Sequence, residues 1–183
     1  MAVDTYKDNL AFVLEWEGGT FTDDPDDKGG PTKWGVIQTR YDQYRKSVGK
    51  KTQSVRYIIM LEVEAIYRTY YWNPISGDKL PAIVDLAVFD AAVNNGPDRA
   101  AKWLQKVLGV TADGQIGQAT LAATDNYVAK HGAKQLATAI CDRREEFYED
   151  IAVGRQHKWL KGWMNRLNSL RKKFGLVDTD GPG

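Results

Sequence analysis

Apolar side chains recur every three or four residues along most of this 183-residue chain, and glycines or prolines separate the stretches. This spacing places apolar side chains on one face of a helix, whereas a half-buried strand would alternate apolar and polar residues. Beyond a first helix that ends at Glu17, it predicts helices at about 39–48, 60–72, 81–94, 98–108, 118–130, 133–153 and 158–174. Only a small irregular hairpin within 21–38 is predicted as β structure. The sequence therefore favours a mostly α fold.

Composition excludes several classes of protein. The chain is 43% hydrophobic, which is enough for a real core, and its 25 basic and 24 acidic side chains nearly cancel. We therefore expect no binding to nucleic acid and no attraction to membrane lipid. Cys141 is the only cysteine, so an internal disulfide is excluded. The first residues lack a basic segment followed by a long apolar run, so we expect neither a signal peptide nor membrane insertion.

Glu17 stands at the end of the first predicted helix. An apolar stripe leads to it, and two glycines follow: Tyr6, Leu10, Val13 and Leu14, then Gly18-Gly19. Burial and the negative end of the helix dipole both disfavour an ionised carboxylate at such a position. We therefore expect Glu17 to keep its proton near neutral pH, as a catalytic acid must. The alternative is a side chain that reaches water past the helix end.

The segment 20–36 combines carboxylates, glycines, prolines and two aromatic rings. Pro25 and Gly29-Gly30 prevent a helix there, so several acids are held on irregular backbone close to Glu17. A simple acidic, solvated loop is the alternative. The start of the segment also imitates a calcium-binding EF-hand loop, but Gly35 stands where that loop requires a bidentate glutamate. We therefore predict no metal site and no cofactor.

This segment contains a specific residue pattern: Glu17-Gly18-Gly19, Asp24-Pro25, Asp27-x-Gly29-Gly30-x-Thr32 and Gly35. It resembles the opening motif of the muramidases of glycoside hydrolase family 108. Eight residues separate Glu17 from Asp26 and five separate Asp26 from Thr32, which is the catalytic spacing of phage-type lysozymes. The resemblance implies that Glu17, an aspartate and Thr32 are catalytic. The spacing selects Asp26 and the paired glycines select Asp27, so both remain candidates.

The segment 86–97 is similar to the helix that ends the catalytic half of that family. Asp90 lies on its apolar stripe and needs a hydrogen-bonding or charged partner if buried. With Asn94 one turn later, Asp90 either braces the acidic loop or faces the cleft, and we favour bracing of the loop. Asn94 and Asn95 follow at the helix end, where they are either capping groups or ligands for the hydroxyl and acetamido groups of a sugar.

From residue 98 onward the chain resembles a predicted peptidoglycan-binding domain. Its motif includes Asp113-Gly114, a predicted turn, with Ile116 packed beneath it. The same residues are also explained by a turn without a ligand. We therefore predict a lysozyme-like catalytic half at 1–96, a helical peptidoglycan-binding-like half at 97–178 packed on it, and a flexible tail at 179–183.

Aromatic rings stack on the apolar faces of sugars, which makes some of the six tryptophans candidate ligand contacts. Trp34 and Trp72 are our candidates for substrate binding, and Tyr71 also stands where it could line a sugar groove. Most of the tryptophans must pack in the core. Trp159 and Trp163 lie four residues apart on one predicted helix face, which is more typical of core packing than of a sugar platform.

The resemblance implies a lysozyme-like N-acetylmuramidase, a phage endolysin or prophage relative. Its substrate would be the β-1,4 bond between N-acetylmuramic acid and N-acetylglucosamine in bacterial peptidoglycan. Glu17 would protonate the leaving oxygen, Asp26 or Asp27 would stabilise the charge or activate a water, and Thr32 would position that water. We expect a monomer made in the host cytoplasm that acts at the periplasm or cell wall, with a holin as partner. The alternatives are a lytic transglycosylase that uses the same Glu17 and a non-catalytic wall-binding protein.

Overall fold

A computed structural model of the chain describes residues 5–24, 29–153 and 157–175. These residues form helices and one two-stranded sheet, so the prediction of a mostly α fold is confirmed. Their packing divides the chain into two compact units, Met1–Trp72 and Asn73–Gly183.

Among its described residues, the first unit contains three α-helices, a hairpin and two short helical turns. In chain order these are α1 (Tyr6–Glu17), β1 (Thr32–Lys33), β2 (Val36–Ile37), α2 (Gln38–Ser47), a 3₁₀ turn (Val55–Tyr57), α3 (Met60–Tyr67) and a π turn (Arg68–Trp72). The helix predicted at 60–72 is therefore α-helical only to Tyr67. A π turn adds one residue to a helical turn, and such turns are frequent at functional sites.

Helix α1 forms as its apolar stripe predicts. Tyr6, Leu10, Val13 and Leu14 are buried, and the helix ends at Glu17. Gly18 follows with a φ of 74°, and its N–H donates to the carbonyl of Leu14. Because a positive φ is easy only for glycine, this residue lets the chain leave the helix immediately after Glu17.

The small β region predicted after the first helix is a tight hairpin. Thr32 pairs with Ile37 and Lys33 with Val36, which leaves Trp34 and Gly35 as a two-residue turn. Both turn residues have a positive φ, 54° for Trp34 and 70° for Gly35, as the favoured type I′ hairpin turn requires. A tryptophan with a positive φ is uncommon, so surrounding contacts must hold it there.

A buried carboxylate ties α2 to α3. Tyr41 donates to Oε2 of Glu62 at 2.6 Å, and Arg45 lies 2.8 Å from Oε1. Burial opposes ionisation of Glu62, but hydrogen bonds from Tyr41 and Lys50 outweigh it and hold the pKa of Glu62 below its usual value. The carboxylate therefore stabilises the folded state more than the unfolded state, as long as it remains ionised.

Acidification is expected to weaken the first unit through Glu62. Because the folded pKa is lowered, this stabilisation is complete above the unfolded value of about 4.3 and is lost as pH falls through the folded pKa. Urea unfolding at neutral and acidic pH should therefore show a smaller pH-dependent loss in Glu62→Gln than in the parent protein. Glu15→Gln, at an exposed position of α1, is the control and should behave like the parent. Equal pH dependence in all three proteins would contradict the assignment.

The part of the second unit that the structure describes contains a 3₁₀ turn (Gly77–Lys79) and five α-helices: α4 (Val84–Asn95), α5 (Pro97–Leu108), α6 (Gln118–His131), α7 (Ala133–Ile151) and α8 (His157–Lys173). The predicted helices are found, most with ends shifted by only one or two residues. Helix α4 begins later than predicted, at Val84. Helix α5 begins at Pro97, so Asp98 lies inside its first turn and pairs with Lys102 at 2.9 Å.

Packing places the boundary between the compact units between Trp72 and Asn73, whereas we predicted a domain boundary between 96 and 97. Helix α4 accounts for the difference, because it is buried along most of its length and packs on α5 and α7. The tail predicted at 179–183 lies outside the described residues.

The expectation of core packing for both tryptophans of α8 is wrong for one of them. Trp159 is 56% exposed, with the ammonium group of Lys158 lying 4.8 Å from its ring centroid. Trp163 is half-buried and stacks on Tyr148, with the ring centroids 5.3 Å apart.

Within 5–24, 29–153 and 157–175, no helix combines the length and apolar composition needed to span a bilayer.

Candidate active site

The Glu17 carboxyl lies against the turn of the hairpin. Glu17 is half-buried at the end of α1. A Cβ atom on Gly35 would lie only 2.9 Å from Oε2 of Glu17 and would also overlap the hydroxyl of Tyr67. Gly35 therefore serves two purposes, because it adopts the positive φ of the turn and leaves room for both side chains.

Two contacts hold the Trp34 turn in place. The hydroxyl of Tyr67, a buried residue of α3, donates to the carbonyl oxygen of Trp34 at 2.9 Å. The indole of Trp34 lies over Gly19, where an added Cβ would come within 2.6 Å of a ring carbon. The paired glycines after Glu17 therefore have separate functions. Gly18 ends the helix, and Gly19 admits the tryptophan.

Replacing Gly35 by Ala is expected to impair the site more than the fold. Gly49→Ala is the matched control, because Gly49 has nearly the same φ, 71°, and nothing within 4 Å of the added Cβ. Both variants should lose about 1 kcal/mol or more of folding free energy from the backbone strain. Only Gly35→Ala displaces Glu17, and we expect a loss of activity of about tenfold or more. Melting curves and initial rates on peptidoglycan measure the two effects, and equal activities in the two variants would contradict this view of the site.

A small cavity of about 110 Å³ adjoins this turn. Gly35 belongs to the cavity wall and also lies beside the Glu17 carboxyl. The other wall residues are Val36, Ile37, Arg40, Ile66, Tyr67 and Tyr71. Burial raises the pKa of Tyr71, and the nearby Arg40 guanidinium opposes that shift. Tyr71 is therefore a neutral phenol at neutral pH, placed within the electrostatic reach of both Arg40 and Glu17.

The other predicted catalytic residues are placed as follows. Thr32 belongs to β1, its hydroxyl donates to the carbonyl of Gly30 at 2.9 Å, and its backbone pairs with Thr22. The structure thus brings Thr32 into the same hairpin as Trp34. Asp26 and Asp27 lie outside the described residues.

The prediction that Trp72 contacts sugar does not fit its position. Trp72 is 1% exposed, and its ring packs on Tyr6 with the centroids 5.1 Å apart. A ring without an exposed face cannot stack on a pyranose. Trp72 is a core residue, whereas Trp34 is half-buried beside Glu17.

Asn94 and Asn95 hydrogen-bond to a tyrosine within the second unit. The amide of Asn94 donates to the hydroxyl of Tyr148 at 2.6 Å, and that hydroxyl donates to Oδ1 of Asn95 at 2.9 Å. Asp90, one turn earlier, is fully buried and pairs with Arg144 and Arg166. The ion pairs of Asp90 are therefore with helices α7 and α8, and a contact with the acidic loop, favoured from the sequence, is not among them. Substrate binding by Asn94 and Asn95 stays a prediction.

The predicted Asp113-Gly114 turn is present in the second unit, with Ile116 buried. Its centre is a residue to which we assigned no role, the buried Gln105. The amide of Gln105 donates to Asp113 at 2.7 Å, and its oxygen accepts from the N–H of Gly114 at 2.9 Å. The motif is therefore explained locally by one glutamine that satisfies the turn.

Sequence reasoning gave Arg40 and Tyr67 no role in the site. Tyr67 belongs to an apolar stripe of its helix, and Arg40 is one of two arginines on a polar helix. Their positions beside the hairpin depend on residues distant in sequence, as the bond from Tyr67 to Trp34 shows, and a local sequence pattern cannot predict such contacts.

Among the residues that the structure describes, no group of three or more His, Cys, Asp or Glu side chains could hold a metal ion.

Two protein families match consecutive parts of the chain. The family described as Glycosyl hydrolase 108 matches residues 10–96, and the family described as Predicted Peptidoglycan domain matches residues 99–168. The protein is thus a glycoside hydrolase whose substrate is peptidoglycan. The chain belongs to the glycosyl hydrolase 108 family and carries the predicted peptidoglycan domain after the catalytic part.

Comparison with solved structures extends the likeness over nearly the whole chain. The chain is similar to "Structure of Brucella abortus SagA", with a TM-score of 0.77, 35% sequence identity and coverage of 97% of both chains. The predicted lysozyme-like helical fold with a small β region after the first helix is confirmed. Comparison with curated protein sequences gave no significant match.

Proposed function

We propose that this protein is an N-acetylmuramidase that hydrolyses the β-1,4 bond between N-acetylmuramic acid and N-acetylglucosamine, with Glu17 as the general acid. The observation that carries the proposal is the position of the Glu17 carboxyl. It stands at the end of α1, against a hairpin turn that Tyr67 fixes through the carbonyl of Trp34. A carboxyl held by a rigid scaffold suits proton transfer, which requires a fixed geometry.

In the proposed reaction, Glu17 gives its proton to the bridging oxygen while the bond from that oxygen to the anomeric carbon breaks. The sugar passes through a transition state resembling an oxocarbenium ion. In the direct path, a water oxygen then bonds to the anomeric carbon and the water loses a proton to a carboxylate. Asp26 or Asp27 supplies the second carboxylate, which either stabilises the positive charge of the transition state or acts as the base for the water. Thr32 positions that water.

The stereochemical outcome follows from the distance between the two carboxyl groups. A separation of roughly 6.5–9.5 Å admits a water and gives inversion, whereas about 5–5.5 Å favours a covalent intermediate and retention. Proton NMR of the first sugar anomer released from a soluble glycan distinguishes the two. Asp26→Asn and Asp27→Asn, tested side by side, show which aspartate acts with Glu17.

Mass spectrometry of the released muropeptides tests the proposed reaction. Hydrolysis adds one water and leaves a reducing N-acetylmuramic acid end. Anhydro products would show instead a lytic transglycosylase that uses the same Glu17. Binding to purified sacculi without any loss of turbidity or any released fragment would show a non-catalytic wall-binding protein. Either of the last two results would overturn the muramidase assignment.

We further propose that the enzyme acts in host lysis as a phage or prophage endolysin, as a monomer that depends on a holin to reach the wall. This proposal rests on the family resemblance. Expression inside bacteria should then cause lysis only when a holin is co-expressed or the inner membrane is permeabilised. Lysis at the same rate without either would contradict holin dependence, and size-exclusion chromatography with light scattering tests the monomer.

A further inference from the structure

A run of exposed apolar side chains connects the 3₁₀ turn of the first unit to α3. Four of the five residues 57–61 are large, apolar and between 40% and 71% exposed: Tyr57, Ile59, Met60 and Leu61. Single exposed apolar side chains are ordinary on a protein surface, whereas several side by side are typical of a binding surface. We name these four residues the apolar patch.

The backbone that carries the apolar patch is held by the fold. Val55 and Ile58 are buried beside it. The N–H of Val55 donates to Oε1 of Gln38 at 2.7 Å, and the ammonium group of Lys33 donates to the carbonyl of Arg56 at 2.9 Å. The four apolar side chains are therefore exposed by a backbone that is anchored to β1 and α2, and their exposure is a property of the folded unit.

Basic side chains surround the apolar patch. Residues 43–61 contain five basic residues and no acidic one: Arg45, Lys46, Lys50, Lys51 and Arg56. All of them except Arg45 are exposed. Lys50 lies 3.4 Å from Oε1 of the buried Glu62, which directly follows Leu61 in the chain. This ion pair places the basic segment next to the apolar patch.

An anionic phospholipid surface fits this combination. Apolar side chains enter the boundary between the headgroups and the acyl chains, while lysines and arginines around them contact the lipid phosphates. A protein partner fits less well, because lysine is depleted from protein interfaces and three of the four exposed cations are lysines. A phosphate polymer would contact the cations but offers no apolar phase to Ile59, Met60 and Leu61.

We propose that residues 43–61 form a peripheral docking surface for anionic phospholipid. The apolar patch enters the headgroup boundary, and Lys46, Lys50, Lys51 and Arg56 contact phosphates. The net charge of +1 led us to expect no attraction to membrane lipid, but that value averages over the whole chain and conceals this local excess of positive charge. The inference does not depend on which glycan bond is cleaved. Such docking keeps the enzyme at the membrane surface, next to the wall that it degrades.

Co-sedimentation of the full chain with lipid vesicles tests the docking surface. One set of vesicles contains equal parts of phosphatidylglycerol and phosphatidylcholine, and the other contains phosphatidylcholine alone. We expect binding to the anionic vesicles that weakens as salt is added, because salt screens exposed charges. Vesicles of phosphatidylcholine alone should bind the protein much less.

The cationic part is tested by Lys46→Gln combined with Lys51→Gln. A lysine close to an anionic membrane contributes about fivefold in affinity, so the double variant should bind the anionic vesicles about 25-fold more weakly than the parent. Lys106→Gln combined with Lys130→Gln is the matched control. It removes the same charge from two exposed lysines that, like Lys46, lie in the last turn of a helix. The control should bind like the parent.

The apolar part is tested by Leu61→Gln, which should weaken binding to the anionic vesicles about tenfold, since the side chain no longer gains from leaving water. Val153→Gln is the matched control, because Val153 is 70% exposed and Leu61 is 71% exposed. If Leu61→Gln does not fold in a melting experiment, Ile59→Ser is the second variant. Ile59 is the N-cap of α3, where serine is favoured, so this change removes apolar surface without weakening the helix.

Three results would overturn the proposal. The first is a parent protein that does not bind the anionic vesicles. The second is binding that the lysine variant weakens and Leu61→Gln or Ile59→Ser leaves unchanged, which would show a site for a phosphate polymer. The third is a lysine variant that binds like its control. Rates on purified peptidoglycan without lipid test the muramidase separately, so failure of either proposal leaves the other standing.

Discussion

Glu17→Gln is expected to lose nearly all hydrolytic activity while the fold is retained. Glutamine has the same shape as glutamic acid but no acidic proton, so the bridging oxygen would leave without protonation. General acids typically contribute a factor of about 10² to 10⁴, and we expect a loss in that range. The neighbouring contacts at Gly35 should persist, because the side-chain size is unchanged.

Reducing-end release from purified peptidoglycan measures this loss, and thermal melting verifies that the variant is folded. Glu15→Gln is the matched control, since Glu15 lies two residues earlier on the same helix at an exposed position. It should keep the activity of the parent protein. Retention of more than about a tenth of that activity by Glu17→Gln would exclude the residue as the general acid.

Asp90→Asn is expected to destabilise the protein more than any other single change considered. Asp90 has a fully buried side chain, with Arg144 2.9 Å from Oδ2 and Arg166 2.9 Å from Oδ1. Burial alone would raise the pKa of Asp90, but the two guanidinium groups hold it below its usual value. The substitution removes the anion and leaves two arginines without their counter-charge.

Breaking a buried ion pair in this way costs about 3–5 kcal/mol. For a chain of this size, each kcal/mol lowers the melting temperature by about 2–4 °C, so we expect a decrease of roughly 10 °C. Asp98→Asn is the control, because Asp98 forms an exposed ion pair with Lys102. Exposed pairs with this spacing on a helix stabilise the folded state by only about 0.3–0.5 kcal/mol. A melting temperature for Asp90→Asn within a degree or two of the control would contradict a stabilising role of the two buried ion pairs.

The helices of this protein could be predicted from sequence because their determinants are local. A stripe of apolar residues and a following glycine fix both the face and the end of a helix, as Leu10, Leu14 and Gly18 do for α1. The hairpin could be placed only roughly. Its turn needs a positive φ at Trp34, a residue that seldom adopts it, and contacts with Gly19 and Tyr67 hold it there.

Errors occurred where burial depends on distant residues. Trp72, a candidate sugar contact, packs on Tyr6, and Trp159, expected in the core, is exposed. The helix predicted at 60–72 changes to a π turn at Arg68. Aromatic side chains suit a core and a sugar platform equally well, so composition and spacing alone cannot distinguish the two.

By itself, the sequence determined the fold class, the ends of most helices and the position of Glu17 after its apolar stripe, because each depends on neighbours along the chain. Only the tertiary structure decided what surrounds that carboxyl. Gly35 leaves space for it, Tyr67 holds the neighbouring turn through its bond to Trp34, and a small cavity lined in part by Arg40 adjoins the turn. The reason is physical. Burial and hydrogen bonding at the site come from segments far apart in the chain, and no periodicity in one segment records where another will pack.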